Sequence, residues 1–386
     1  MHVVIAPDCF TGTLTATQAA GAIAAGWSQS APRDILTLVP LSDGGPGFLD
    51  VMVRAVEGEV IATTVADPLG REVPASILVA DQAGVRTAYL ESAQACGLHL
   101  LSASERDPAL TSTYGVGQLL RAARDSGARR IVVGLGGSGT NDGGAGLLAA
   151  LGAGSRDDLG RGGLALRDLG PNALDGIEAV RRDWADIELV AATDVDNPLL
   201  GLHGASATFA PQKGASPQGA QDLEGALGHF ADRLWRHLPA GTDLLTGRAR
   251  RLDREPGAGA AGGLGYGLFV LGGHRRSGVE LILESIGFRD LVAAADLVVT
   301  GEGCFDWQSL HGKVVAGVAG VALTTATPVI VIAGQVLVGR REGMSLGLSG
   351  MYAVASDPRQ EEAAFADPVG TLRERAARVA RTWSPS

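Results

Sequence analysis

Short β-branched runs recur along the chain, and each of them ends at glycine, proline or acidic residues. Several of these runs are followed by apolar residues at helical spacing, and strands that alternate with helices form parallel sheets. Ligands bind at the carboxyl ends of such strands, where the loops expose polar groups. The pattern therefore predicts an α/β fold with strands at residues 3–6, 35–40, 130–134, 189–192, 296–300 and 328–333.

Length and patterning together indicate two domains. The chain has 386 residues, of which 46% are hydrophobic, and this exceeds what one ordinary core accommodates. Residues 61–98 alternate apolar and polar side chains around turn sequences at 67–70 and 81–84, which is typical of antiparallel strands. This stretch is expected to open the second domain. Residues 156–186 are charged and interrupted by glycines, so we expect a surface excursion there.

Charge and cysteine content disfavour several classes of protein. The formal net charge is −10 and no basic run stands out, so nucleic acid is not an expected partner. Cys9, Cys96 and Cys304 lie far apart without a C-x-x-C spacing, which favours neither a disulfide framework nor a zinc site. The amino-terminal apolar run is too short for a signal peptide. We therefore expect a cytoplasmic protein.

One uncharged stretch, residues 314–339, is long enough to cross a bilayer. Pro328 divides it, however, together with two threonines shortly before. In a parallel-sheet protein the commoner arrangement is a helix, a turn and a buried strand. We therefore predict that this stretch does not span a membrane.

The longest glycine-rich segment, GLGGSGTNDGGAG at 134–146, stands between a predicted strand and a predicted helix. Glycines let backbone N–H groups approach an anion, and a helix amino terminus adds a favourable dipole. The segment lacks the Gly-Lys-Ser/Thr of a P-loop and the spacing of the dinucleotide fingerprint. A phosphate cradle is one interpretation, and a purely structural turn is the other.

Lysine is rare in this chain. Of the 32 lysine and arginine residues, two are lysines, Lys213 and Lys313. A compact ammonium on a flexible stem binds phosphate as a point charge. Both lysines lie beside glycine in loop sequences. This placement favours phosphate binding over the alternative, in which both are surface lysines without a binding role.

Acidic residues recur where the predicted strands end. Phosphoryl transfer needs carboxylates to hold Mg²⁺ and to orient or deprotonate the attacking hydroxyl. Any one of these acids could instead cap a helix, and for Asp43 capping is the more probable individual role. Together they favour a phosphotransferase site, and the set comprises Asp8, Asp43, Asp142, Asp194, Asp196, Glu302 and Asp306.

Taken together, these segments resemble the bacterial type of the glycerate kinase family, across nearly the whole chain and in the same order. The resemblance implies ATP-dependent phosphorylation of D-glycerate, with two Rossmann-like or flavodoxin-like parallel-sheet domains, one inserted into the other, and a cleft between them. It implies a discontinuous lobe of residues 1–58 and 287–386 around an inserted lobe of residues 59–286. The resembling stretches are IAPD at 5–8, DGG at 43–45, the glycine-rich segment at 134–146, DVDNP at 194–198, PQKGAS at 211–216, GAGAAGG at 257–263, TGEG at 300–303 and HGK at 311–313.

Our hypothesis assigns roles to individual residues, with ATP and Mg²⁺ as cofactors and a small hydroxy acid as the partner. Asp194 and Asp142 would hold the metal. Lys313 would neutralise charge on the transferred group. The acids that would position or deprotonate the acceptor are Asp8, Asp43 and Glu302, and the residues that would bind the nucleotide phosphates are Gly136, Gly137, Ser138, Thr140, Asn141 and Lys213.

The chain also departs from the family pattern. Positions 11, 114 and 304 would carry basic side chains in the family. Their absence here leaves fewer cations to bind the carboxylate of an anionic acceptor. A different hydroxy acid or a polyol is then an alternative acceptor, and a catalytically silent binding protein is an alternative function. A dehydrogenase is disfavoured because the dinucleotide fingerprint is absent. The departing residues are Thr11, Pro46, Tyr114, Cys304 and Trp307.

Overall fold

The computed structural model describes residues 1–10, 12–238, 247, 250–310 and 312–384. Its strands are β1 His2–Pro7, β2 Ile35–Leu38, β3 Glu59–Ala66, β4 Glu72–Gln82, β5 Val85–Glu91, β6 Arg130–Gly134, β7 Glu188–Ala192, β8 His274–Arg276, β9 Leu297–Gly301, β10 Cys304–Phe305, β11 Val329–Ala333, β12 Gln335–Val336 and β13 Leu348–Ala353. Each strand predicted from the β-branched runs is present in this set, with its ends within one residue of the prediction except for β2, which ends two residues earlier.

Helices connect most of the strands, as the α/β prediction requires. They are α1 Ala16–Ser30, α2 Phe48–Ala55, α3 Ala93–Cys96, α4 Tyr114–Asp125, α5 Ala145–Leu151, α6 Arg156–Leu159, α7 Ile177–Asp183, α8 Ala205–Phe209, α9 Pro217–His237, α10 Ala260–Val270, α11 Gly278–Ser285, α12 Phe288–Ala293, α13 Val314–Thr325, α14 Arg340–Ser345, α15 Pro358–Ala366 and α16 Pro368–Trp383.

The chain divides into two compact units. Unit 1 comprises Met1–Asp43, Arg54–Val56 and Ser277–Ser386, and unit 2 comprises Gly44–Val53 and Glu57–Arg276. The predicted domain limits at 58/59 and 286/287 stay predictions. In the structure α11 belongs to unit 1, because it packs against α12 and α13 of that unit.

Unit 1 is built on a parallel sheet with the strand order β13-β11-β9-β1-β2. The strands β9 and β11 are buried along their whole length, and α1 and α16 pack against each other beside the sheet. Helix α1 begins with the predicted capping box, since Thr15 Oγ1 accepts from Gln18 N–H and Gln18 Oε1 accepts from Thr15 N–H. A short parallel pair, β10 with β12, extends beyond β9 and β11.

Unit 2 contains a mixed sheet with the order β3-β4-β5-β6-β7-β8. The pairs β3–β4 and β4–β5 are antiparallel, as predicted for residues 61–98, and β5 to β8 run parallel. Two antiparallel steps restore the direction, so β3 runs parallel to β5. The carboxyl ends of β3, β5, β6 and β7 therefore lie along one edge of the sheet.

The charged residues of 156–186 are mostly exposed, as predicted for a surface excursion, but the prediction is wrong for the apolar residues of this segment. Leu159, Leu166, Ile177 and Trp184 are at most 2% exposed and belong to the core of unit 2. Leu159, Leu166 and Ile177 lie on two short helices and on a 3₁₀ turn between them, and Trp184 directly follows the second helix. These short elements share no single helical period, which is why the spacing of the apolar residues did not reveal them.

Residues 314–339 fold as predicted into a helix, a turn and a strand. Helix α13 ends at Thr325, the next residue Ala326 has a left-handed backbone with φ of 54°, and the buried strand β11 follows. Among the residues that the structure describes, no helix has the length and apolar character needed to cross a membrane.

Candidate active site

Three acidic side chains of unit 1, here called the acid cluster, lie beyond the carboxyl ends of three adjacent strands, β9, β1 and β2. Asp8 follows β1 and Glu302 follows β9, and these strands are parallel neighbours. The backbone N–H of Asp8 donates to the carbonyl of Gly301 at 2.8 Å. Asp43 lies beyond β2, the neighbour of β1 on its other side. The structure therefore brings Asp8, Asp43 and Glu302 to one edge of the sheet.

Asp8 resists ionisation in this cluster. It is 8% exposed, and burial, followed by the negative charge of Asp43, raises its pKa well above the ordinary value. The backbone N–H of Cys9 donates to Asp8 Oδ1 at 2.6 Å and acts in the opposite direction on that pKa. The negative charge of Glu302 also raises the pKa of Asp8, so the protonation of Asp8 depends on its acidic neighbours.

Glu302 has the surroundings of a proton acceptor. It is 7% exposed, and its Oε1 has no hydrogen-bonding partner in the described part of the chain. Burial raises its pKa to about 7, while the hydroxyl of Ser309 and the charge of Lys313 lower it. A carboxyl with a pKa near neutral pH can accept a proton from a substrate hydroxyl and release it again.

The segment between Glu302 and α13 carries further polar groups. Asp306 Oδ1 accepts from the N–H of Gln308 at 2.8 Å and of Ser309 at 3.3 Å, so Asp306 caps the 3₁₀ turn Gln308–Leu310. Lys313 is half-buried and directly precedes α13. Ser309 is fully buried and was missed by the sequence reasoning. The available signal was its position three residues after Asp306, a spacing typical of a capped turn.

In unit 2, neighbouring backbone holds the first half of the glycine-rich segment 134–146. The N–H of Leu98 donates to the carbonyl of Gly137 at 2.8 Å, and the N–H of Gly139 donates to the carbonyl of Cys96 at 2.7 Å. The residues between these contacts therefore run antiparallel to residues 96–98. This part of the segment has a defined shape before any ligand arrives.

Gly136 and Gly137 form the outward-facing part of this segment. Gly137 is exposed and Gly136 is half-buried. Across the described residues, their N–H groups find no protein acceptor. By contrast Ser138 is 7% exposed, and Thr140 and Asn141 are fully buried. An anion can approach the two glycines, whereas the other three predicted nucleotide ligands point into the protein.

Lys213 is also directed into the protein. It ends the 3₁₀ turn Pro211–Lys213 and is 2% exposed. Its Nζ donates to Ser138 Oγ at 2.9 Å and to the carbonyl of Thr140 at 2.7 Å. Burial lowers the pKa of Lys213 to about 8, and the neighbouring Cys96 and Asp142 act in the opposite direction. The ammonium group therefore contacts the glycine-rich segment from its buried side.

Asp142 organises the second half of the segment. One of its oxygens accepts from the N–H of Thr113 at 2.8 Å and from Thr113 Oγ1 at 2.9 Å. Its carboxylate also accepts from the N–H of Gly144 at 3.1 Å and of Gly146 at 3.2 Å. Asp142 is fully buried, and burial raises its pKa while these hydrogen bonds lower it. The carboxylate thereby holds the turn that leads into α5.

The GAGAAGG motif at 257–263 packs on this turn. Ala261, Gly262 and Gly263 have left-handed backbones with φ of 52°, 70° and 89°. The carbonyl of Gly262 accepts from the N–H of Gly143 at 3.0 Å. A Cβ at position 262 would lie 1.9 Å from the carbonyl oxygen of Thr140. Glycine is required at 262 because both the backbone conformation and the close approach exclude a side chain.

Comparison with known proteins identifies the family of this chain. The model described as "Glycerate kinase family" matches residues 3–384. The chain belongs to the glycerate kinase family. Its resemblance to that family, noted from the sequence motifs, is thereby confirmed. Because the family consists of kinases, this protein is a phosphotransferase that acts on an alcohol group.

Individual members of the glycerate kinase family match over most of their length. A glycerate kinase of Bacillus subtilis is 39% identical over 383 residues, which cover 98% of this chain and 96% of that protein. A glycerate 2-kinase of Escherichia coli is 39% identical over 340 residues, covering 87% and 85%. A crystal structure from Salmonella typhimurium LT2, of a protein provisionally assigned as glycerate kinase 2, has a TM-score of 0.73 at 37% identity and covers 99% of this chain and 98% of that chain.

A nucleotide-dependent kinase commonly uses Mg²⁺ bound to the phosphates and to protein oxygens. Asp142 does not fit such a metal, because both its oxygens are buried and accept hydrogen bonds from the protein. Asp194 is half-buried and lies two residues beyond β7, at the sheet edge that also carries the glycine-rich segment. No group of three or more His, Cys, Asp or Glu suited to a metal is found in the part of the chain that the structure describes. Asp194 remains the candidate ligand.

The structural role of Asp142 leads to a stability prediction. We expect Asp142→Asn to lower the free energy of unfolding by about 1–3 kcal/mol, because an amide cannot accept all of these hydrogen bonds. Urea unfolding should show this loss equally in EDTA and in millimolar Mg²⁺. The exposed Asp157, replaced in the same way, is the control and should change stability little. A loss that appears only with Mg²⁺ would instead indicate a metal ligand.

The family departures have different surroundings. The guanidinium of Arg156 lies 4.5 Å from the ring centroid of Tyr114, so α6 supplies a cation beside a position where the sequence lacks one. Trp307 is 66% exposed, Pro46 is exposed and Cys304 is half-buried. Thr11, and His311 of the HGK motif, lie outside the described residues.

The sequence reasoning also missed Glu91, the last residue of β5. Glu91 is 7% exposed, and its Oε2 accepts from the N–H of Gly47 at 3.0 Å and of Leu49 at 3.3 Å, at the start of α2. Burial raises its pKa to about 7. Its position at a strand end, on the ligand-binding edge of the sheet, was the signal that could have identified it.

Proposed function

We propose that this protein transfers the terminal phosphoryl group of ATP to a hydroxyl of D-glycerate or of a closely related small hydroxy acid, with 2- or 3-phosphoglycerate as the product from glycerate. The relatives named glycerate kinase support the acceptor. The observation that carries the proposal is the acid cluster of unit 1, with Lys313 acting electrostatically on Glu302. Carboxylates bind and deprotonate hydroxyl groups, and the ammonium binds an anion.

In this proposal Glu302 accepts the proton of the attacking hydroxyl. Its unpartnered Oε1 and its pKa of about 7 suit that role. Asp8 and Asp43 orient the acceptor through hydrogen bonds from its hydroxyl groups. Lys313 stabilises the negative charge of the acid substrate or of the transferred group. Positioning and charge stabilisation then supply most of the rate enhancement, as in other phosphoryl transfers.

The nucleotide phosphates are proposed to bind at Gly136 and Gly137, whose N–H groups are accessible. Backbone N–H groups form anion sites where glycines allow close approach. Asp194 is proposed to contact the Mg²⁺ that accompanies ATP and supplies charge neutralisation when bound. We further propose a cytoplasmic location, which suits three separated cysteines.

The direct test is nucleotide consumption with Mg²⁺ and D-glycerate, together with a panel of other hydroxy acids and polyols. We expect turnover with glycerate or a close relative, and phosphorus NMR of the product should identify the hydroxyl that is phosphorylated. Nucleotide binding without turnover on any acceptor would contradict a kinase and would favour a silent binding protein.

Removal of the ammonium group in unit 1 tests the role of Lys313. We expect Lys313→Met to lower kcat/KM for the acid substrate by about 100-fold, since it removes a charge that stabilises the transition state. Arg341→Met removes a charge from the exposed face of α14 and serves as the matched control. Equal kinetics for the two variants would exclude Lys313 from the reaction.

A further inference from the structure

We infer that Lys213 is a positioning residue: its ammonium braces the glycine-rich segment from the buried side so that the backbone N–H groups at 136–138 are presented to the phosphates. The inference rests on the proposed nucleotide site. It differs from the interpretation of Lys213 as a direct phosphate ligand, which the rarity of lysine in the sequence suggested.

The contacts of the ammonium place it behind the segment. Nζ contacts the side chain of Ser138 at 2.9 Å and the carbonyl of Thr140 at 2.7 Å. These two acceptors flank Gly139, so one cation restrains three consecutive residues. With 2% of its surface exposed, Lys213 has almost no surface with which to meet a ligand.

The turn that carries Lys213 is itself held in place. The N–H of Lys213 donates to the carbonyl of Ala210 at 3.0 Å. Gly214, with φ of 104°, packs so closely that a Cβ there would lie 2.1 Å from the carbonyl oxygen of Arg106. These contacts fix the backbone from which the Lys213 side chain starts, and the two hydrogen bonds of Nζ hold its other end against the glycine-rich segment.

Bracing from inside sets the direction of the outer N–H groups. In a planar trans peptide the C=O and N–H point in opposite directions. The carbonyl of Gly137 points towards the N–H of Leu98, so the N–H of Ser138 points to the other side, where Gly137 is exposed. Lys213 holds the Ser138 side chain and the Thr140 carbonyl inward, and it thereby maintains this arrangement without touching the phosphates.

A double-mutant cycle distinguishes the two roles. We expect Lys213→Met to raise the KM for ATP by about 10- to 100-fold, because a displaced loop misplaces its donors. Ser138→Ala alone should raise it by about 3- to 10-fold. The double variant should be within about twofold of Lys213→Met, because both changes break the same brace. Arg182→Met removes an exposed cation from α7 and is the matched control.

The opposite result would identify a direct ligand. Ser138→Ala would then leave the KM for ATP unchanged, while Lys213→Met would still raise it. If Lys213→Met does not fold, Ser138→Ala alone decides, since bracing requires a raised KM and a direct phosphate contact does not.

Hydrogen–deuterium exchange tests the inference without turnover. Loss of the brace should speed amide exchange at residues 137–140 in Lys213→Met and in Ser138→Ala, measured with and without inorganic tripolyphosphate. Unchanged exchange in both variants would overturn the inference. If the unmodified protein phosphorylates no acceptor but the exchange responds as expected, the proposed function fails and the bracing role stands.

Discussion

Replacing Glu302 by glutamine is expected to lower kcat by about 10²- to 10⁴-fold while making the protein more stable at pH 8. The rate falls because the amide cannot accept the proton of the acceptor hydroxyl. Stability rises because the buried carboxylate, which is 7% exposed and has an unpartnered Oε1, is no longer ionised inside the protein. The two effects have opposite signs, as expected when a site residue is placed for reaction and not for folding.

The pH dependence of stability follows from the pKa of Glu302. Burial raises that pKa from 4.5 to about 7, so between these values the folded protein holds a proton that the unfolded chain has lost. The stabilising contribution is complete below pH 4.5 and is lost as the pH rises to about 7. The shift of the Glu302 pKa corresponds to about 3 kcal/mol of unfolding free energy. Glu302→Gln should therefore gain stability over the unmodified protein at pH 8 and little at pH 4.5.

Denaturant unfolding at the two pH values, together with steady-state kinetics, checks this prediction. Glu374→Gln, which changes an exposed carboxylate on α16, is the matched control. It should alter neither stability nor kcat appreciably. A Glu302→Gln variant that retains full turnover would exclude Glu302 as the base, and equal stability of the variant at both pH values would contradict a raised pKa.

Gly262→Ala is expected to cost about 3–5 kcal/mol of unfolding free energy and to abolish most activity, from a position with no ligand-binding group of its own. The left-handed backbone is unfavourable for alanine by about 1–2 kcal/mol, and the new Cβ would clash with the carbonyl of Thr140. Relief of that clash moves Thr140, whose carbonyl also accepts a hydrogen bond from the Lys213 ammonium. The effect therefore reaches the proposed phosphate site.

Gly228→Ala is the matched control for this substitution. Gly228 lies inside α9, and a Cβ there would meet no atom within 4 Å. Alanine should stabilise that helix by about 0.5–1 kcal/mol. In thermal unfolding, Gly262→Ala should therefore lower the melting temperature and Gly228→Ala should raise it slightly. In kinetic measurements, the loss of activity should be confined to Gly262→Ala. A mild effect of Gly262→Ala would show that the contact between the GAGAAGG motif and the glycine-rich segment is adjustable.

Local sequence was sufficient for the strand framework. The buried strands β9 and β11 are runs of β-branched residues bounded by polar or turn residues, and such runs have few alternatives to a central parallel strand. The acidic residues that follow β1 and β9 could be placed together for the same reason, since parallel neighbours end at one edge. The shorter helices of 156–186 could not be predicted, because their burial depends on packing against residues distant in sequence.

The direction in which a polar side chain points could not be predicted from the sequence. Lys213 and Asp142 look like ligands in a loop, yet both are buried and bond to backbone carried by other segments. Their orientation depends on chain segments more than 25 residues away, through contacts with Thr140 and Thr113.

The family, the α/β architecture and the set of chemical groups at the strand ends could be predicted from the sequence, because they follow from local pattern and motif order. Which of these groups are exposed, which are buried and hydrogen-bonded, and which carboxyl has a pKa near neutral pH became known from the folded structure. Burial and hydrogen bonding set these properties, and both arise from residues brought together by folding.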